Sequence, residues 1–349
     1  MRSRSIKIAS LFLLGMGISE IILRLKSAPQ DATSTTREVQ EDTEKRTLCT
    51  MEQLVQGKWT MGAEKYKPPY IPTPGERQQK TCRGFDPSAR WQDWEWTPED
   101  HSRCDFLNSD IDSNLFCSLV RNKTIVIQGD SISFDHFLSL THLLGVPVAP
   151  PARVPKDPLR VSKICNGTSM LIGKKDFHLQ QVGRIINEFH PDVMILNQGA
   201  HYVSDEQLIQ HLNSTVIPHI ANWQDECVLE KKDCHFVWRS TVPGHPYCTQ
   251  FTKPAESVEE METIIATSPQ YNWDKLKGQN ELVMDLLSRS SLLTEFNILD
   301  GYPINILRPD LHGPKKNDCL HTCLPRDNIY SFITLHLLRL WSECGPETG

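Results

Sequence analysis

The chain has 349 residues, 39% hydrophobic and 23% charged, which is enough apolar content for one large core or two smaller ones and excludes a wholly disordered protein. Its formal net charge of -6 gives no broad basic footprint, which argues against nucleic acid as a partner. A neutral or polysaccharide ligand stays open.

At the N-terminus, Arg2, Arg4 and Lys7 precede an apolar run from Ile8 to Ser19, which continues past Glu20 through Leu23 to Arg24 and Lys26. Residues 1–26 read as an uncleaved signal-anchor with a cytosolic tail, and a cleaved signal peptide of a secreted protein is the alternative. Residues 27–47, rich in Ser, Thr, Glu and Gln, read as a flexible stem. All eleven cysteines lie downstream, from Cys49 on, and three N-x-S/T sequons occur at Asn122, Asn166 and Asn213. Together they predict an oxidising, glycosylating lumen, with an odd thiol left free or shared with another chain.

Residues 48–118 are dense in Pro and Trp and punctuated by Cys49, Cys82, Cys104 and Cys117. They predict a disulfide-stapled, loop-rich N-terminal subdomain packed on a catalytic domain over 119–349. In that domain Thr124–Gln128 reads as a β-branched strand running through Gly129 into a helical stretch that ends at Gly145. A helical pattern at 178–189 leads to a strand at Asp192–Leu196. Leu208, Leu212, Val216 and Ile220 mark the next helix, and Cys234–Ser240 the third strand. A helix at 274–289, a strand at Phe296–Leu299 and an amphipathic helix from Asn328 to Trp341 complete the series. Strands alternating with helices predict an α/β fold with three α/β/α layers and a mainly parallel sheet, its site beyond the strand C-terminal ends.

Ser131 falls at such an end, in Gly129-Asp130-Ser131, and Asp318-Cys319-Leu320-His321 lies far downstream. A serine hydroxyl is a poor nucleophile unless an imidazole takes its proton and a carboxylate fixes that imidazole's tautomer, and these two stretches supply all three groups. Ser131 as a mere helix cap is the plainer alternative, but a cap leaves Asp318-x-x-His321 unexplained. A Cys319-x-His321-x-Cys323 metal corner is the plainer reading of the second stretch; in an oxidising lumen disulfides rank above it, and no metal is expected.

The order of motifs resembles the plant trichome-birefringence-like polysaccharide O-acetyltransferases of the PC-esterase group. Gly57-Lys58-Trp59, Cys82-Arg83-Gly84-Phe85-Asp86, Trp94-Glu95-Trp96 and Cys104 come first. The Gly-Asp-Ser stretch with Ile132-Ser133, Asn197-x-Gly199-x-His201, Pro243-Gly244-His245, Arg308-Pro309-Asp310-Leu311-His312 and Asp318-Cys-Leu-His-Thr-Cys-Leu-Pro follow in the family's order. The resemblance implies an SGNH-hydrolase-like fold, a Ser131, Asp318, His321 triad and disulfides Cys49 with Cys104, Cys82 with Cys323, and Cys248 with Cys319. The chain departs from the family at Thr322, where Trp is usual, and after Asp327, in regions that shape the acceptor groove.

The backbone N–H groups of Ser131 and Gly199 and the Asn197 side chain are the candidate oxyanion donors. His201, His245 and Arg308 are candidate substrate contacts, although Arg308 with Asp310 also reads as a loop brace, and Asp310 with His312 as a rival acid and base. Asp130 reads as structural support, and the Trp residues as packing rather than sugar platforms. The expected function is Golgi-lumenal acetyl transfer to polysaccharide or glycan hydroxyls by a single-pass, membrane-anchored glycoprotein. No tightly bound cofactor is expected, and acetyl-CoA or another acetyl carrier is the co-substrate. A carbohydrate acetyl esterase and a non-catalytic polysaccharide-binding protein are the alternatives.

Overall fold

The computed structural model describes residues 47–62, 93–106, 112–146, 158–201, 204–268, 271–312, 318–322 and 329–344. The expected anchor and the stem up to residue 46 lie outside them, as do Cys82 and Cys323. No helix among the described residues is long and apolar enough to cross a membrane.

A short helix α1 (Met51–Val55) opens on a capping box, in which Thr50 and Gln53 each accept the other's backbone N–H. It leads into the antiparallel pair β1 (Gly57–Met61) and β2 (Trp94–Pro98). Then come α2 (Ser113–Leu119), β3 (Thr124–Gly129), α3 (Ser131–Leu143), β4 (Leu159–Ile164), β5 (Ser169–Lys175), α4 (Val182–Phe189) and β6 (Val193–Leu196). After α5 (Asp205–His211) a single π turn, Leu212–Val216, continues into α6 (Ile217–Glu230). The chain proceeds through β7 (His235–Arg239), α7 (Val258–Thr267), α8 (Leu276–Arg289), β8 (Asn297–Leu299), α9 (Tyr302–Asn305) and α10 (Ile329–Cys344).

The main sheet has the order β4-β5-β3-β6-β7-β8, parallel throughout except for β4, which runs antiparallel to β5 at one edge. Side chains alternate between its faces as a strand requires. Ile125, Ile127, Val193, Ile195 and Val237 enter one core with α3, α7 and α10, while Val126, Met194, Leu196, Phe236 and Trp238 enter the other with α4, α6 and α8. This is a three-layer α/β/α architecture, as the alternation of elements predicted.

Two expectations are corrected. The sheet has six strands rather than the four read from sequence: β4 and β5 form an edge hairpin whose apolar run is short and ends in Gly173-Lys174-Lys175. The last helix is not amphipathic over its first turns. Polar Ser331, Thr334 and His336 are buried with the apolar residues, bonding to Ser139 Oγ (2.9 Å), His136 Nε2 (3.1 Å) and the Cys49 carbonyl (2.7 Å). A helix hidden on all sides keeps polar groups only where each finds a partner.

The N-terminal elements share the main core, since Leu54, Trp96 and Phe116 pack in the cluster that holds Leu140 and Leu338. Trp96 donates to the Leu54 carbonyl (2.7 Å), and Trp59 donates to Ile304 (3.1 Å) and meets the Trp96 ring edge-on at 5.5 Å. These tryptophans pack, as read from the sequence. Disulfides join Cys49 to Cys104, Cys117 to Cys165, Cys227 to Cys234 and Cys248 to Cys319. The three sequon asparagines are all exposed.

Candidate active site

The central strand β3 ends at Gly129, where the chain turns into α3. A Cβ on Gly129 would press on Ser133 Oγ and lie 2.6 Å from the Asn197 carbonyl oxygen, so only glycine fits. Asp130 caps α3: its Oδ1 accepts from the N–H of Ile132 (2.9 Å) and of Ser133 (3.1 Å). Ser131 therefore occupies the first helical position, where the backbone N–H has no intrahelical acceptor and the helix dipole favours negative charge.

Asp130 is itself held from below. Arg239, at the end of β7, reaches Asp130 Oδ1 (3.3 Å) and Ser133 Oγ (3.0 Å) and lies 4.5 Å over the Tyr330 ring, whose hydroxyl donates to the Ser240 carbonyl (2.8 Å). Both charged side chains are almost fully buried. Asp130 is thus a support of the turn that carries Ser131, as expected. Arg239 and Tyr330 were missed, although a lone arginine closing an apolar strand was a visible signal.

His321 approaches Ser131 from the loop before α10. Its Nε2 lies 2.8 Å from Ser131 Oγ, and its Nδ1 lies 2.9 Å and 3.1 Å from the two Asp318 oxygens. The same Asp318 Oδ1 accepts the backbone N–H of His321 (3.1 Å) and of Leu320 (3.4 Å), so one carboxylate both folds the turn and orients the ring. Burial alone raises the Asp318 pKa. The hydrogen bond to the His321 ring, the charge of that ring and the two backbone N–H groups outweigh it and hold the carboxyl well below the usual range. With Nδ1–H donating to Asp318, Nε2 is the nitrogen left to accept the serine proton.

The other candidates divide. Asn197 is not an oxyanion donor in this arrangement: it is fully buried, and its amide donates to the Arg239 carbonyl and to Thr241 Oγ1, both at 2.9 Å, tying the end of β6 to the end of β7. Gly199 packs against Thr241 so tightly that a side chain would collide with the Thr241 hydroxyl. His245 is not a surface contact either. It is fully buried, with Nδ1 2.6 Å from His312 Nε2 and Nε2 3.1 Å from the Ile306 carbonyl. Arg308 is buried too, paired with Asp310 (2.9 and 3.2 Å) and stacked 4.3 Å over Trp59, so it braces its loop rather than meeting substrate. The rival pair is thereby dissolved: Asp310 faces Arg308, and His312 faces His245.

His201 alone of the three candidate contacts is exposed, with its ring edge-on to Phe177 at 4.3 Å. Protein packed around the ring's inner side lowers its pKa, Asp130 pulls the other way, and His178, Lys175 and His321 lower it further. Cys319, one arm of the metal corner considered above, is bonded to Cys248, and Cys323 lies outside the described residues. Among the described residues no group of three or more His, Cys, Asp or Glu side chains is placed to hold a metal ion.

No family model and no curated protein sequence matches the chain. Among solved structures it is similar to the periplasmic domain of the lipopolysaccharide acetyltransferase of Salmonella ser. Paratyphi A, with a TM-score of 0.31 and 11% identity over 65% of this chain and 87% of that one. So distant a likeness carries no functional weight, and the chain's α/β/α fold rests on its own strand order and layers.

Proposed function

We propose that this protein is an O-acetyltransferase that moves an acetyl group onto a hydroxyl of a polysaccharide or glycan by way of an acetyl-serine at Ser131. The single observation that carries the reading is the row Asp318, His321, Ser131, with contacts of 2.9 Å and 2.8 Å. The acetyl group and the carbohydrate acceptor rest on the motif order shared with the polysaccharide O-acetyltransferases. A lumenal site of action rests on the cysteines and sequons, and the Golgi on the resemblance to the same family.

In the first half-reaction His321 Nε2 takes the Ser131 proton as Oγ bonds to the acetyl carbonyl carbon. The negative oxygen is met by the Ser131 N–H at the head of α3, with the Gly199 N–H as the second candidate donor. His321 then passes its proton to the donor's leaving atom as that bond breaks. In the second half the acceptor hydroxyl gives its proton to His321, attacks the acetyl-serine, and Ser131 leaves with the proton returned. Asp318 stabilises the imidazolium in both halves without itself being protonated.

A second reading, acetyl-ester hydrolysis, is favoured by the openness of the cluster: the Asp318 side chain is 44% exposed and that of His321 24%. Water has access to the same acetyl-serine. Mass spectrometry of the protein after exposure to acetyl donors, with and without an oligosaccharide panel, separates the two. Acetyl on Ser131 that moves to sugar supports the transferase, acetyl lost to water in the presence of good acceptors supports the esterase, and no labelling of Ser131 by any donor leaves the non-catalytic binding protein.

A further inference from the structure

Two buried histidines that the reaction does not use form a row leading to the back of the base. His312 Nδ1 lies 2.9 Å from the backbone carbonyl oxygen of His321, His312 Nε2 lies 2.6 Å from His245 Nδ1, and His245 Nε2 lies 3.1 Å from the Ile306 carbonyl. The His321 loop is gripped by the same two segments elsewhere. The His245 N–H donates to the Cys319 carbonyl (2.8 Å), Cys319 is bonded to Cys248, and His312 forms a β-bridge with Thr322.

We propose that His312, backed by His245, is a positioning residue that sets the height of the His321 ring over Ser131 by holding the His321 carbonyl. This rests on the acyl-serine reading given above. The hold requires Nδ1–H on His312, because the His321 carbonyl oxygen only accepts; its Nε2 then accepts from Nδ1–H of His245, whereas the opposite tautomers would serve the Ile306 carbonyl instead. Two neutral imidazoles bring two N–H groups to three contacts, so the neutral pair that points at His321 leaves the Ile306 contact without a hydrogen. Burial is the largest influence on both rings and favours that neutral pair. On His312 the hydrogen bond to the His321 carbonyl and the Asp318 and Asp310 charges oppose burial, and the charge of His321 supports it; on His245 the charges of His312 and Arg308 support burial, and the Ile306 and Asn305 carbonyls oppose it.

The test exploits the difference between two amides. An asparagine side-chain N–H occupies the place of a histidine Nδ1–H, whereas a glutamine N–H occupies that of Nε2–H. In the full-length protein, with p-nitrophenyl acetate as probe, His312→Ala is expected to lower kcat about 100-fold with little change in KM, the loss typical of a catalytic group misplaced by about 1 Å. His312→Asn is expected to recover most of the loss and His312→Gln little of it, although glutamine fills the space better. Equal recovery by both, or better recovery by glutamine, overturns the proposal and leaves simple packing. Nitrogen NMR of the wild-type imidazoles reads the same point without turnover: the Nδ1–H tautomer of His312 is expected, and the Nε2–H tautomer overturns it. A wild-type protein that never acylates Ser131 overturns the acetyl-transfer reading instead, and the tautomer measurement then decides the row on its own.

Discussion

At the scale of single residues, chemistry and support separate cleanly around Ser131. Ser131→Ala is expected to abolish acyl-enzyme formation, measured as loss of the acetyl mass on the peptide that contains residue 131. Asp318→Asn keeps the shape of the turn but removes the charge that selects the Nδ1–H tautomer, so kcat on p-nitrophenyl acetate is expected to fall by about 10⁴. Arg239 gives the opposite pattern. Removing it strands Asp130, at 1% exposure, without its buried partner, and Arg239→Leu is expected to cost about 3–5 kcal/mol in denaturant unfolding. Asn197 shows how a reading from sequence goes astray. An asparagine after a core strand looks the same whether its amide faces a substrate or, as here, an arginine carbonyl and a threonine hydroxyl.

At the scale of elements, the parallel strands β3, β6, β7 and β8 were legible because each is a short apolar run bounded by turn residues. The β4–β5 hairpin was not, since its register comes from pairing with β3 and its hydrophobicity is interrupted by lysines. The Ser131 turn and the Asp318-x-x-His321 turn were legible for a related reason: each is closed locally by an Asp side chain accepting backbone N–H groups within three residues. The tether of the second turn, Cys248 with Cys319, was legible through the family resemblance and is present. The Cys248–Cys319 disulfide closes a separation of 71 residues and fixes the loop that carries His321. In a chain-entropy view it contributes up to about 4 kcal/mol. Cys248→Ser with Cys319→Ser is expected to lower kcat more than it raises KM, with a lower urea midpoint, and unchanged turnover would show that the loop is held without the crosslink.

At the scale of the whole molecule, stability is coupled to acidity through buried imidazoles. Burial lowers the pKa of His136, His245, His312 and His336, that of His312 to about 4. Unfolded histidines titrate near 6.5, so between that value and the lower folded ones the unfolded chain binds more protons. The stability these groups confer is whole above about pH 6.5 and is lost as the pH falls through their folded values, so urea midpoints are expected to drop between pH 7 and pH 5. An unchanged midpoint over that interval would remove these histidines from the account. The separation of Ser131 and His321 along the chain has a different consequence, one of timing. Ser131 and His321 are 190 positions apart, and synthesis runs from one to the other. A growing chain carries Ser131, the turn around it and the strands of the sheet before His321 is made, so on the proposed reading an incomplete product lacks its base.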